Sequence, residues 1–211
     1  MRVINVGLAR TGTTSLKAAL ELLGISPVHH TFDLFTSPKD MSLWEGAFEG
    51  KPVNWREFYA DYEAADWPAA FFYKEIIDVH PEAKLLLTIR DPEKWVESVS
   101  NTVQQGMNIK LPIPHLRRIK HFIITYAADK LFDGRLDDKA HMIRCYHRHV
   151  ENVKAYVPEN RLLLYDVRDG WESLCQFLAV NAPHQPYPRV NTRGGFKGMV
   201  MQMVSGMKGS G

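Results

Sequence analysis

The sequence predicts an α/β fold in which a central parallel sheet is flanked by helices. Three observations carry that expectation. Apolar runs of strand length stand at Val3-Ile-Asn-Val6, Lys84-Leu-Leu-Leu-Thr-Ile89 and Arg161-Leu-Leu-Leu-Tyr-Asp166. Each run feeds a segment with helical periodicity. The runs are mainly apolar rather than alternating, as in strands covered on both faces, which is how parallel sheets are built. Ligands of such sheets bind beyond the carboxyl ends of the strands.

The first strand leads into Gly7-Leu-Ala-Arg10-Thr11-Gly12-Thr13-Thr14-Ser15-Leu16, a glycine turn followed by a helix start. Leu16, Ala19, Leu20 and Leu23 then recur at helical spacing, and Gly24 supplies the stop. Asn54-Trp-Arg-Glu57 reads as a capped helix, and Ala69 to Val79 as another ended by Pro81. After the second strand, Asp91 can cap and Pro92 can open a helix over Glu93 to Gln104. Gly106 to Pro114 is apolar but irregular, with two prolines, and suits a lid over an apolar substrate. The adjoining Arg117, Arg118, Lys120 and His121 read as a solvated basic face. Asp137 to Val157 has the stripe of a long amphipathic helix. Its histidines 141, 147 and 149 read as a solvated or half-buried face, because no cluster of acidic ligands accompanies them. After the third strand, Asp169-Gly-Trp-Glu172 has capping-box spacing and opens a helix through Leu178. Residues 191–211, rich in Gly and Met, are expected to form a partly mobile tail.

The first turn is also the chemical centre of the sequence. Glycines allow a tight turn, so that backbone N–H groups and the positive end of a helix dipole converge on one anion. The Gly7-to-Gly12 spacing is that of a P-loop, G-x-x-x-x-G, but Thr13 stands where an ATP-cleaving site keeps lysine. The nearby cation is Arg10, inside the loop. With the hydroxyls of Thr11, Thr13, Thr14 and Ser15, it supplies more anion donors than capping a helix requires. The missing lysine argues against a nucleotide-dependent kinase. A dinucleotide-dependent dehydrogenase is excluded because the loop lacks G-x-G-x-x-G spacing. A non-catalytic nucleotide-binding protein is the remaining alternative, and replacement of Arg10 by an inert residue would have favoured it.

Composition narrows the partners. The chain has 211 residues, 45% hydrophobic and 24% charged, with a net charge of +2. That is one ordinary domain, and its charge predicts no nucleic-acid partner. No apolar run approaches the roughly 18 residues of a membrane span. Cys145 and Cys175 form no C-x-x-C pair, and no secretory leader precedes Val3, so a reducing cytoplasm is expected.

Three separated motifs resemble those of P-loop sulfotransferases. The family's loop, Lys/Arg-Ser/Thr-Gly-Thr-Thr, matches Arg10-Thr-Gly-Thr-Thr14; its strand ending in Arg and followed by a helix bearing Ser matches Leu86 to Ser98; and Asp66-Trp67-Pro68 stands where better-known members have a histidine two residues before a proline. The nearest subgroup carries RTGTTSL-like, DWP and RDPxxW segments, and the likeness runs from Met1 to about Asn191. The resemblance implies a P-loop NTPase-like three-layer fold, one domain over 1–211, and transfer of a sulfuryl group from 3′-phosphoadenosine-5′-phosphosulfate (PAPS) to a hydroxyl or amine of a small acceptor without a metal. It assigns the 5′-phosphosulfate to Arg10, Thr11, Gly12, Thr13, Thr14 and Ser15, and the 3′-phosphate to Arg90 and Ser98. Asp66 is the implied base, with His30 as the competing proton acceptor. Tyr165 matches a tyrosine that touches adenine, and Arg193 stands near the family's C-terminal Arg-Lys-Gly, whose lysine this chain lacks. Phe32, Phe35, Trp44 and Phe48 suit either an apolar or aromatic acceptor site or the core. The acceptor and the oligomeric state are not readable from the chain.

Overall fold

The computed structural model describes residues 1–111 and 113–190. Their elements follow in the order β1 (Val3–Asn5), α1 (Thr13–Leu22), β2 (Val28–His29), α2 (Asp33–Thr36), α3 (Pro38–Phe48), α4 (Trp55–Phe58), β3 (Ala64–Ala65), α5 (Tyr73–Val79), β4 (Lys84–Thr88), α6 (Pro92–Asn108), α7 (Pro114–His121), α8 (Ala128–Phe132), α9 (Lys139–Tyr156), β5 (Leu162–Tyr165) and α10 (Trp171–Leu178). They divide into two compact units. One holds Met1–Asp91 and Tyr146–Val190, and the other contains Pro92–Cys145.

The first unit is an α/β layer built on a five-stranded sheet of order β2-β3-β1-β4-β5. Every pairing is parallel. The three expected strands are β1, β4 and β5. The two additional ones, β2 and β3, have two residues each, too short to show a period in the sequence. On one face α1 and α10 pack Leu16, Leu20, Leu174 and Leu178 against Val3, Val28, Ala64 and Leu86. Alternation turns Ile4, Leu85 and Leu87 the other way, and all three are buried. Burying each such side chain contributes about 1.5–3 kcal/mol. Toward the end of β1, His149 of α9 meets the Val6 carbonyl through Nε2 at 2.7 Å, and its ring meets that of Tyr73 on α5.

Local signals mostly act as the sequence predicts. Gly24, at φ 72°, follows α1, and the Asn54 side chain accepts from Glu57 N–H at 3.3 Å. Two details differ. Ala69–Phe71 is a 3-10 turn separate from α5. The capping box at Asp169 does not form, because Gly170, at φ 71°, occupies the cap position and no side chain caps α10.

In the second unit, α6 runs four residues beyond Gln104, so the irregular segment begins after Asn108 rather than at Gly106. Residue 112 of that expected lid lies outside the described residues. Trp95 of α6 and Phe132 of α8 are fully buried and in contact, with ring centroids 5.7 Å apart. No helix among the described residues is long and apolar enough to cross a membrane.

Candidate functional site

A parallel sheet delivers all its strand ends to one edge. In sheet order, β2 leads into His30, β3 into Asp66, β1 into the glycine turn, β4 into Arg90 and β5 into Asp166. The turn follows the central strand. Two close approaches fix its path. A Cβ on Gly7 would stand 1.9 Å from Thr88 Oγ1 and 2.7 Å from Thr88 N, so only glycine lets the chain cross the end of β4. Gly12, at φ 101°, is held where a Cβ would meet Val167 Cγ2 at 2.5 Å.

Gly12 N-caps α1 without a side-chain hydrogen bond. The N–H groups of the helix's first turn have no partner within the helix and point outward from its positive end. Arg10, at φ 73°, lies in the turn, and its backbone carbonyl accepts from Arg90 Nη1 at 3.1 Å. Burial and the charge of Arg90 both lower the Arg10 pKa. Two guanidinium groups thus share one loop, an arrangement that an anion stabilises. The hydroxyls divide into different roles. Thr11 Oγ1 donates to Leu8 O and shares a bond with Thr88 Oγ1, both at 2.6 Å, so it braces the turn from inside. Ser15 Oγ accepts from Val190 N–H at 3.0 Å. Thr13 Oγ1 lies 3.4 Å from His30 Nε2, and Thr14 is half-buried on the first turn.

Asp66 is fully buried. Its Oδ1 accepts from Asn5 Nδ2 at 2.8 Å and from Trp67 N–H at 2.6 Å. Its Oδ2 has no hydrogen-bond partner among the described residues. Burial lifts the carboxyl pKa to about 7, against the lowering effect of the two donors and of Lys17. The alternative role of capping the following turn is not taken up, since that turn has no side-chain cap.

Asn5 links this carboxyl to the cradle. Its Oδ1 accepts from Gly7 N–H at 3.1 Å and Thr88 N–H at 3.3 Å, and lies 3.2 Å from Thr88 Oγ1, whose proton serves the shorter bond to Thr11. Sequence reading missed Asn5 and Thr88. The available signal was a polar residue inside each of two otherwise apolar strands, where an unpaired polar group is costly.

His30 is buried and neutral, its pKa lowered to about 3 chiefly by burial and further by Lys17 and His29. Nδ1 accepts from Phe32 N–H at 3.3 Å. The hydrogen-bond network therefore assigns the proton to Nε2, which faces Thr13 as a donor.

Tyr165 is fully buried in the sheet core, with its hydroxyl donating to Gly170 O at 2.8 Å. Ser98 lies on α6 in the second unit, half-buried. Arg193 and the tail expected over 191–211 lie outside the described residues. Of the four aromatics weighed for an acceptor site, Phe35, Trp44 and Phe48 are buried core. Trp44, for example, packs on Trp55 at 5.1 Å. Phe32 is half-buried, with its ring 4.7 Å from that of His30.

The sulfotransferase domain family matches residues 2–196. A curated relative, "Ava biosynthesis cluster protein M" of Aspergillus versicolor, is 30% identical over 215 residues, covering 92% of this chain and 82% of its own length. A match over nearly the whole chain shows that this α/β protein belongs to the sulfotransferase domain family.

Proposed function

We propose that this chain transfers a sulfuryl group from PAPS to a hydroxyl or amine of a small acceptor, with Asp66 as general base. The observation that carries the reading is the cradle joined through Asn5 to a buried carboxyl whose Oδ2 has no partner among the described residues. The residues present suit the donor nucleotide: a loop two glycines keep open, no lysine at Thr13, and two guanidinium groups. When bound, PAPS supplies an activated sulfuryl group and a bisphosphate leaving group.

The chain's own contributions follow from its chemistry. Arg10 and the first-turn N–H groups at Gly12, Thr13 and Thr14 bind the anionic end and stabilise charge on the leaving phosphate. A sulfuryl group carries less charge than a terminal phosphoryl group, so this set can serve without lysine or magnesium. Arg90 presents a planar fork to the 3′-phosphate. Asp66 Oδ2 takes the acceptor's proton. Burial solves the ordinary weakness of a carboxylate base, since a pKa of about 7 matches neutral pH. His30 Nε2–H positions Thr13 and leaves proton removal to Asp66. The half-buried Phe32 beside it offers an apolar surface to the acceptor.

One observation supports this reading over a kinase. The carboxylate at the end of β5, which a magnesium-binding strand end would offer, is engaged by Arg168 Nε at 2.9 and 3.0 Å. Calorimetry with 3′-phosphoadenosine-5′-phosphate and with magnesium-ATP tests the proposal. Metal-independent binding of the bisphosphate, weakened in Arg90→Ala, is expected. Preference for magnesium-ATP overturns it.

A further inference from the structure

The second unit carries a cluster that the transfer chemistry does not use. Helix α8 ends at Phe132, and the chain reverses through Asp133 and Gly134, both left-handed at φ 54° and 73°. It re-enters α9 so that His141 and Cys145, one turn apart on the same helix face, point back at the reversal. Both are buried, at 8% and 2% exposure. His141 Nε2 lies 3.2 Å from Asp133 Oδ2 and 3.3 Å from Cys145 Sγ. One nitrogen, one sulfur and one carboxylate oxygen thus lie within 4.8 Å of one another.

The geometry points to a zinc-type divalent cation site formed by Asp133, His141 and Cys145. Zinc holds imidazole nitrogen or carboxylate oxygen at about 2.0–2.2 Å and thiolate sulfur at about 2.3 Å, which at the tetrahedral angle separates the donors by about 3.3–3.6 Å. The two contacts to Nε2 are already close to that spacing. The donor set selects the metal: thiolate with imidazole suits zinc and disfavours magnesium and calcium. Asp133 is 57% exposed at its side chain. The carboxylate therefore gives the cation a path in from solvent and leaves a fourth position for water. The solvated or half-buried face expected for His141 differs from the structure, where that histidine is buried.

Proton accounting allows the site to load. Without metal, Nε2–H donates to Phe132 O at 3.0 Å. Loading requires the Nδ1–H tautomer and a thiolate, so binding releases the Cys145 proton while the imidazole moves its own from one nitrogen to the other. The Phe132 carbonyl is not orphaned by that change, because Arg135 N–H also donates to it at 3.0 Å. A bound cation ties the end of α8 to the start of α9, fixing the reversal that seats Phe132 against Trp95. It takes no part in sulfuryl transfer.

The test is a cobalt(II) titration of the full chain after chelator treatment. Expected are a thiolate-to-cobalt charge-transfer band and the visible bands of tetrahedral cobalt, displaced by zinc(II). Cys145→Ser should abolish the charge-transfer band, and Cys175→Ser should leave it intact. Asp133→Asn, at an exposed position, should weaken zinc binding by about tenfold or more, since even outer contacts to a metal site cost that much. No cobalt uptake by the parent chain overturns the site. So does a spectrum that survives Cys145→Ser or is lost with Cys175→Ser.

Discussion

Asp66→Asn separates proton transfer from packing, because its effects on stability and on catalysis run in opposite directions. Both donors to the carboxylate, Asn5 Nδ2 and Trp67 N–H, use Oδ1, so an asparagine oxygen can keep them and place its amide where Oδ2 now lies. The carboxyl ordinarily titrates near 3.8 and burial lifts it to about 7. That is about 4 kcal/mol of preference for the protonated form. The folded chain holds this proton more tightly than the unfolded chain. The group's contribution to stability is therefore complete at about pH 4 and is lost as pH rises through about 7. Asparagine carries no such dependence. Near pH 4 both side chains are neutral in the folded chain, and the asparagine amide leaves one more buried donor without a partner among the described residues than the protonated carboxyl does, so the variant should be the less stable by about 1 kcal/mol. Near pH 8 the variant should be the more stable by about 3 kcal/mol. Urea unfolding at about pH 4, 6 and 8 measures the difference. In turnover the same variant should lose about 10²–10⁴-fold in kcat with bisphosphate affinity unchanged. A stability difference that does not change with pH would refute the account of the carboxyl. Equal losses of turnover and affinity would make Asp66 a structural residue.

Three further substitutions probe the cradle. Arg10→Ala should cost about 2.7–4 kcal/mol of transition-state stabilisation, the scale of losing one preorganised donor, and near-normal kcat/KM would remove Arg10 from the mechanism. Asn5→Ala takes one donor from Asp66 and the acceptor from Gly7 N–H and Thr88, so the acidic limb of the rate profile should move to higher pH and unfolding should become easier by about 1–3 kcal/mol or more. A limb that stays in place would mean that Asn5 does not tune the base. Gly7→Ala forces a methyl group against Thr88, and a loss of about 1–3 kcal/mol or more in thermal unfolding is expected; unchanged stability would show that β4 yields there.

How far the molecule could be read in advance depended on the length of each signal. β1, β4 and β5 announced themselves because an apolar run next to a helix start is a local pattern. β2 and β3 did not, because two-residue strands exist only through pairing with neighbours distant in sequence. The placing of Arg10, Gly12 and Arg90 at the sheet edge was legible for the same reason as the long strands: each sits at a punctuation mark between strand and helix. Asp66 was marked out only through its place in a motif. What its proposed role as base rests on, burial and the Asn5 bond across 61 residues, is tertiary. The hydroxyl partners of Thr11 and Tyr165 were not legible either, because Thr88 and Gly170 reach them only through the fold.

The inward hydroxyl of Thr11 bears on the thermodynamics of nucleotide capture. Its bonds to Leu8 O and Thr88, with Gly7 N–H on Asn5, tie the turn to the protein's own groups. A ligand arriving at such a loop loses its own freedom but need not freeze the backbone that receives it. Capture should therefore lack the large negative heat-capacity change of a segment that folds around its ligand. Differences in residence time among nucleotides should then reflect the groups each presents to the arginines, because loop ordering is common to all of them and already complete.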